Sequence, residues 1–451
     1  MASLKFGTDG VRGKINVSLL LEDILRLGKA HGYQLRSERT EGGRPRVVVG
    51  RDSRVSGQAL LGAYGAGLMS QGVDVIDVGV LPTPGVAIAV RHFQADGAAM
   101  ISASHNPVPD NGIKLFGPSG KKLDDGQARE LEGLVARAES LESPQGSDLG
   151  RSLDASEEAR RVYHSFLLAN LEGGLNGLKV VLDCAYGAAA GHAAEVFGAA
   201  GAQVVALCDR ADGELINVKC GSTDLSGLRE AVVREGADLG LAFDGDADRC
   251  LAVSGTGVEI TGDQMMVVIA RHLQEQQRLK GQTVVLTVMS NLGAELALKS
   301  QGIEVVRTQV GDRYVYEEME RRGAVLGGEQ SGHVLLLDRH WSGDGIMAGL
   351  VFSGVVGGLG RSVDELVSDI AEMPQKLVNV SGVDKDGLDR PAVRVAIAEA
   401  EERLRPDGRL LVRASGTEPL IRLMAEGPDA AKIDEVLESL RQVVLNELAL
   451  K

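Results

Sequence analysis

The sequence predicts an α/β protein: three consecutive α/β domains with mixed, mainly parallel sheets, then a smaller C-terminal α+β domain, all around one central cleft. Three observations predict it. The chain has 451 residues, too many for one core and enough for three or four domains. Apolar runs of strand length alternate with helical patterns, the rhythm of a parallel sheet covered on both faces. Four of the strands end in polar loops, and in open sheets ligands gather outside the carboxyl ends of strands.

The elements follow in order. "RVVVG" reads as a strand, "SGQALLGAYGAGLMSQG" as a helix ending at Gly72, "VDVIDVGV" as a strand, "TPGVAIAVRHF" as a helix with Pro84 near its start, and "GAAMIS" as a strand. A Ser- and Glu-rich stretch, 138–152, closes this domain, 1–150. The alternation restarts with "LKVVLDC", "AQVVALC" and "ADLGLAF" in a second domain, 151–255. A third, 256–370, carries "GDQMMVVIARHLQEQ", "TVVLTVMS", "IEVVRT" and "AVLGGEQSGH". From 371 to 451 the rhythm changes: "KLVNV", a long helix, "RLLVRASG" and a C-terminal amphipathic helix.

Composition narrows the function. The net charge of −15 repels phosphate at long range, which argues against nucleic acid and anionic membrane as partners. The longest uncharged run, "GIMAGLVFSGVVGGLG", is shorter than a membrane span and rich in Gly, so it reads as a buried helix. The start, "MASLKFGTDGVRGK", lacks the apolar segment of a signal peptide. Cys184, Cys208, Cys220 and Cys250 form no CxxC pair and have no His at zinc spacing, which fits a reducing compartment. The expectation is a cytoplasmic protein.

The loops carry the chemistry. "ISASHNP" puts Ser102, Ser104, His105 and Asn106 at the mouth of a strand; it is either a turn or a nucleophile loop. "FDGDADR" places Asp244, Asp246 and Asp248 at alternate positions, where their charges repel unless a hard cation sits among them. It is not an EF-hand, since Arg249 stands at the sixth position and Gly255 at the twelfth. Three carboxylates fill half an octahedral shell, which leaves room for a substrate phosphate, and Arg249 is placed to stabilise its charge. "RASGTEPLIR" offers Arg413, Ser415, Gly416, Thr417 and Arg422 as a phosphate cradle, although Ser-Gly-Thr is also an ordinary turn. "GGEQSGH" offers Glu329, Ser331 and His333, a set suited to sugar hydroxyls or an incidental polar hairpin. A serine beside a divalent site and a phosphate cradle can carry a phosphoryl group. A hydrolase elbow is absent around Ser104, and His105 is badly placed to serve as its base if the segment stays extended.

Together and in this order, the four loops resemble those of the phosphohexomutase family, sugar-phosphate mutases with four domains around one cleft; the resemblance spans essentially the whole chain. "FGTDGVRG", "SASHNP" and above all "GEQSGH" resemble the branch acting on glucosamine phosphates, the branches for glucose and mannose phosphates more often differing at the position of Gln330. The resemblance implies that Ser104 is a phosphoserine whose phosphate joins Asp244, Asp246 and Asp248 around one Mg²⁺ per chain. It implies that Arg12, Lys114 and Arg249 surround the transferred group, with Arg12 and Lys114 as candidates for proton transfer. Glu329 and Ser331 would contact the sugar, His333 would make a further active-site contact, and Arg413, Ser415 and Thr417 would clamp the non-reacting phosphate. "TQVGDR", 308–313, resembles a loop that discriminates substrates. The implied reaction interconverts glucosamine 6-phosphate and glucosamine 1-phosphate, with glucosamine 1,6-bisphosphate as intermediate and activator, and feeds UDP-N-acetylglucosamine synthesis. The rivals are a glucose or mannose phosphate mutase, a magnesium-dependent sugar phosphatase, and a non-catalytic binding protein. Monomer and homodimer both stay open.

Overall fold

Four sheets follow one another along the chain in the computed structural model, which describes residues 4–7, 10–39, 42–415 and 419–450. The first sheet runs in the order Val11–Lys14, Asp110–Phe116, Gly97–Ile101, Arg46–Arg51, Asp74–Val80, Ser152–Asp154. Its last four strands are parallel, and its first two run antiparallel to them or to each other. The second sheet orders Glu259–Ile260, Cys250–Ser254, Leu239–Phe243, Lys179–Asp183, Gln203–Leu207, and the third Glu304–Thr308, Thr283–Thr287, Leu326–Gly328, Val334–Leu336. Each has a parallel core and an antiparallel edge. The fourth sheet, Gln375–Ser381, Leu420–Glu426, Arg409–Ala414, is wholly antiparallel, as an α+β domain requires.

The antiparallel pairs fall at the four polar loops. Residues 102–109 join Gly97–Ile101 to its antiparallel neighbour, 244–249 join Leu239–Phe243 to Cys250–Ser254, and 329–333 join Leu326–Gly328 to Val334–Leu336. Residues 415–419 lie between Arg409–Ala414 and Leu420–Glu426. A connection this short can only return antiparallel, since a parallel return needs a crossover of a dozen residues or more. Residues 102–109, 244–249 and 329–333 are therefore hairpin tips held at both ends by paired strands.

The first three segments share one buried apolar cluster that includes Met100, Phe116, Leu182, Phe243, Met266, Ile346 and Phe352, while the fourth keeps its own around Ile421, Leu423 and Val436. Gly345–Leu359, the long uncharged run, is a helix buried in the shared cluster. Among the described residues no helix is long and apolar enough to cross a membrane. The fourth segment docks on the third through polar contacts: the buried Glu426 accepts from Leu292 N (3.3 Å), Gln375 Nε2 donates to Met289 O (3.2 Å), and the Arg409 guanidinium donates to Ser290 O (3.2 Å).

Candidate functional site

Ser104 is built to be held still. It sits just beyond the buried strand Gly97–Ile101 in the left-handed region (φ 51°) and is 1 % exposed. Its backbone N–H donates to Ser102 Oγ (2.8 Å), and Ser102 Oγ donates to Asp52 Oδ2 (2.7 Å). The Arg54 guanidinium donates to four carbonyls of the same loop, those of Ser104 (2.9 Å), Asn106 (2.7 Å), Pro107 (2.7 Å) and Asp110 (3.0 Å), and to Asp52 Oδ2 (3.0 Å). From the second segment, Asn217 Nδ2 donates to Ser104 O (2.9 Å). Burial pushes the Asp52 carboxyl up to about 6 although Arg54 opposes it. Sequence reading missed Asp52, Arg54 and Asn217; "GRDSR" after a strand was the only local signal for the first two.

The left-handed turn also overturns one expectation. With the segment no longer extended, His105 Nδ1 comes within 3.2 Å of Ser104 Oγ. Burial, then the charges of Arg249 and Arg12, lower the His105 ring to about 4, so it is neutral at pH 7.

The hydroxyl of Ser104 meets the acidic loop directly, donating to Asp244 Oδ2 at 2.6 Å. Asp244, Asp246 and Asp248 are all buried, with one oxygen from each within 4.8 Å of the others. The approach is so close that a Cβ on Gly245 would lie 2.5 Å from Ser104 O, which excludes any other residue there. Thr83, at the start of the helix Thr83–His92, donates through Oγ1 to Asp246 Oδ2 (2.5 Å). Lys114, buried in the strand Asp110–Phe116, places Nζ 2.8 Å from Asp246 Oδ2 and 3.4 Å from Asp248 Oδ2.

The charges of the loop are unevenly distributed. Burial, then Asp248 and Asp246, push Asp244 well above the usual carboxylate range. Burial acts the same way on Asp248, but Lys114, His333 and Arg249 outweigh it and hold that carboxyl well below. Three carboxylates in a dry cluster cannot all stay ionised without compensation. Asp246 Oδ1 and Asp248 Oδ1 are buried and accept no hydrogen bond among the described residues. Hard oxygen donors converging within 4.8 Å, two of them buried without a hydrogen bond among the described residues, together fit a divalent cation.

Around this core stand the remaining residues. Arg249 N donates to Asp244 Oδ1 (3.2 Å), and its guanidinium lies 4.0 Å from Asp248 Oδ1. Burial disfavours the Arg249 charge, but Asp244, Asp248 and Glu329 outweigh it. His333 lies between Asp248 (Nδ1–Oδ1 3.6 Å) and Asp312 (Nε2–Oδ2 3.6 Å), and against burial these carry its ring up to about 9. Glu329 Oε1 accepts from Gly311 N (3.0 Å), tying the "GEQSGH" hairpin to the "TQVGDR" loop. Ser331 is half-buried at the tip of that hairpin. Arg12 lies on Val11–Lys14, directly opposite Gly112.

Arg413 and Arg422 form a separate group. They face each other on neighbouring antiparallel strands, and burial plus the Arg422 charge lower the Arg413 guanidinium. Like charges directly opposite destabilise a sheet, and an anion between them would relieve that. Ser415 is buried, its N–H bonded to Leu420 O (2.9 Å) and its carbonyl accepting from Lys385 Nζ (3.3 Å), a cation the sequence reading missed. Gly416 and Thr417 lie outside the described residues. Among the described residues no hydrogen bond or ion pair joins Arg413 to the Ser104 group.

Arg54→Gln should loosen the serine loop, because it leaves buried carbonyls without donors and Asp52 without its cation. Breaking such a buried pair costs about 3–5 kcal/mol, and a displaced nucleophile loses roughly a hundredfold in rate. Thermal unfolding and steady-state assays should both register the change; unaltered kinetics would show that Arg54 does not position Ser104.

Comparison with known proteins adds an independent finding. Four consecutive models of phosphoglucomutase/phosphomannomutase match the chain: alpha/beta/alpha domain I over residues 3–142, domain II over 162–257, domain III over 261–373, and the C-terminal domain over 375–443. A phosphoglucosamine mutase of Thermobifida fusca is 48 % identical over 448 residues, 99 % of each chain. One from an Exiguobacterium species is 46 % identical over 441 residues, 97 % of each. Among solved structures, a phosphoglucomutase/phosphomannomutase family protein from Burkholderia thailandensis superposes with a TM-score of 0.84 over the whole of both chains at 24 % identity.

Proposed function

The chain belongs to the phosphoglucomutase/phosphomannomutase family, and on that premise we propose that it is a phosphoglucosamine mutase, interconverting glucosamine 6-phosphate and glucosamine 1-phosphate through a phosphoserine and glucosamine 1,6-bisphosphate. The product feeds amino-sugar nucleotide synthesis in the cytoplasm. The observation that carries the reading is the 2.6 Å contact between Ser104 Oγ and Asp244 inside a buried acidic cluster. The full-length likeness to phosphoglucosamine mutases supports the choice of sugar, and Gln330, between Glu329 and Ser331, is the residue we assign to it.

The proposed residues divide the work. The segment 1–150 presents Ser104, 151–255 the carboxylates, 256–370 the sugar contacts and 371–451 the phosphate clamp. Asp244, Asp246 and Asp248 would hold Mg²⁺, with the phosphate of Ser104 as a further ligand; when bound, the ion neutralises charge on the phosphoryl group. The bond from phosphorus to Ser104 Oγ breaks as the sugar hydroxyl oxygen bonds to phosphorus. Ser104 Oγ leaves as a hydroxyl, and the sugar hydroxyl gives up its proton; Lys114 and Arg12 are the residues we assign to these protons. Arg249 spreads the charge on the moving group, as positioned cations do in phosphoryl transfer. His333 and Ser331 line the sugar side with Glu329. Arg413, Ser415, Gly416, Thr417 and Arg422 hold the phosphate that is not reacting, and the bisphosphate turns in place before the reverse transfer rephosphorylates Ser104.

The test is direct. Purified protein, Mg²⁺ and a trace of the bisphosphate are incubated with glucosamine 6-phosphate, then with the glucose and mannose analogues, and both isomer formation and free phosphate are followed. Glucosamine 1-phosphate formed fastest supports the reading. A preference for glucose or mannose phosphate reassigns the substrate, and release of inorganic phosphate in excess of isomer makes the protein a phosphatase. EDTA should stop turnover and added Mg²⁺ restore it; full activity after exhaustive chelation would reduce the acidic loop to a turn.

Arg413→Ala should give a different defect. Losing a charge-assisted contact costs about 1.5–3 kcal/mol, or roughly tenfold to over a hundredfold in affinity. KM should rise, and bisphosphate that escapes before turning leaves Ser104 bare. The variant should therefore need more added glucosamine 1,6-bisphosphate than wild type. Coincident activation curves with an unchanged KM would remove Arg413 from the clamp.

A further inference from the structure

Two cysteines separated by eleven residues in sequence meet at the carboxyl edge of the second sheet. Cys208 follows the strand Gln203–Leu207, and Cys220 precedes the turn at Gly221; their sulfurs lie within 4.8 Å of each other and of an Asp183 carboxylate oxygen. The carboxylate is already committed, accepting from Ala185 N at Oδ1 (3.0 Å) and from Gly221 N at Oδ2 (2.8 Å). What remains is a thiol pair. Cys208 is half-buried and therefore reachable, whereas Cys220 is 3 % exposed. The neighbouring Cys220 thiol draws Cys208 below the usual thiol range against the effects of burial and of the Asp183 carboxylate, and the same neighbour raises Cys220, whose Sγ donates to Leu215 O (3.9 Å). Cys184 and Cys250 are fully buried, and burial pushes both thiols up. A reachable thiol beside a second, buried one is the arrangement of redox-sensitive cysteine pairs.

The segment between the two cysteines lies against the serine loop. Its Asn217 donates to Ser104 O (2.9 Å), and its Gly213 packs so closely on residues 53–55 that a Cβ would fall 2.3 Å from Ser53 O. Cys208, Asn217 and Lys219 all hold left-handed backbone conformations (φ 51°, 59° and 52°), so the segment has little freedom to absorb a shift.

We propose that Cys208 and Cys220 form a peroxide-oxidised thiol pair whose disulfide displaces Asn217 and slows phosphoryl transfer at Ser104. The Cys208 thiolate attacks hydrogen peroxide, breaking the O–O bond to give a sulfenic acid and hydroxide. The Cys220 sulfur then bonds to Cys208 sulfur, its proton leaving with the sulfenic oxygen as water. Peroxide is the oxidant, and a dithiol reverses the step.

The thiol chemistry stands apart from the mutase reading; the effect on rate rests on it. Full-length protein is treated with stoichiometric hydrogen peroxide, then mapped by peptide mass spectrometry and assayed for mutase turnover before treatment, after it, and after dithiothreitol. A peptide linked through Cys208 and Cys220, with turnover reduced by roughly tenfold or more and restored by the dithiol, is expected. Cys208→Ser and Cys220→Ser should keep their turnover through the same treatment. Wild-type protein that is active yet forms no linked peptide overturns the pair. A linked peptide with unchanged turnover overturns the coupling to Ser104, and inactivation that persists in both serine variants does so too. Untreated protein without mutase activity counts against the proposed function instead, and the peptide map still decides the pair.

Discussion

Ser104→Ala should leave no measurable mutase turnover while the protein still folds. Among the described groups at this strand end, the Ser104 hydroxyl is the one that donates to Asp244, at 2.6 Å. No neighbouring side chain replaces it: Ser102 Oγ is occupied with Ser104 N and Asp52, and His105 faces the same oxygen without lying on the carboxylate. The fold should survive because the loop is held by its backbone. Arg54 and Asn217 grip the Ser104 carbonyl, and Ser102 accepts its N–H; alanine keeps all three. The midpoint of thermal unfolding should shift by a few degrees at most. Wild-type protein should carry a phosphate adduct of about 80 Da on the Ser104 peptide, absent from the variant. Turnover by the alanine variant near the wild-type rate would end the assignment of Ser104.

The site was partly legible before folding because its chemistry is local in sequence. The alternation of Asp244, Asp246 and Asp248 points to a hard cation, and the donors of "RASGTEP" make it a candidate phosphate cradle, with Gly416 and Thr417 outside the described residues. The supports were not legible. Arg54 reaches carbonyls fifty residues away, Asn217 crosses from the second segment to the first, and Thr83 caps an acidic loop that lies 163 residues on. None of the three belongs to a chemical motif; each is an ordinary polar residue until tertiary structure supplies its partner. The same limit explains His105. Its approach to Ser104 depends on a left-handed φ at a serine, which propensity disfavours and only a surrounding clamp enforces. Strand alternation likewise indicated α/β layers but not antiparallel edges, because period and length are the same for both strand directions. The cysteine pair was hidden for a further reason: an eleven-residue spacing matches no motif, and only the crossing from Leu207 back to Gly221 closes it.

Lys114→Met should separate catalysis from cation binding. Lys114 is 1 % exposed, with its ammonium 2.8 Å from Asp246 and 3.4 Å from Asp248. Methionine fills similar space without the charge, so packing changes little while the acidic cluster loses a compensating cation. Removing one partner of a buried ion pair costs about 3–5 kcal/mol, and part of that should return when a divalent cation binds the more negative cluster. Two signs follow. Mg²⁺ should bind the variant at least as tightly as wild type, because a positive charge that opposed its entry is gone, and Mg²⁺ should raise the unfolding temperature of the variant more than that of wild type. Turnover should move the other way: loss of a positioned proton donor typically lowers kcat by roughly 10²–10⁴-fold, with KM little changed because the sugar and the fixed phosphate are assigned to other residues. A purely structural lysine would lower stability and leave the kcat of the folded, Mg²⁺-loaded fraction within about threefold of wild type. Weaker Mg²⁺ binding in the variant would contradict the electrostatics directly, since it would mean that Lys114 assists the cation that its charge must repel. Tight binding together with collapsed turnover is the result that places Lys114 in the chemistry and the three carboxylates around the ion.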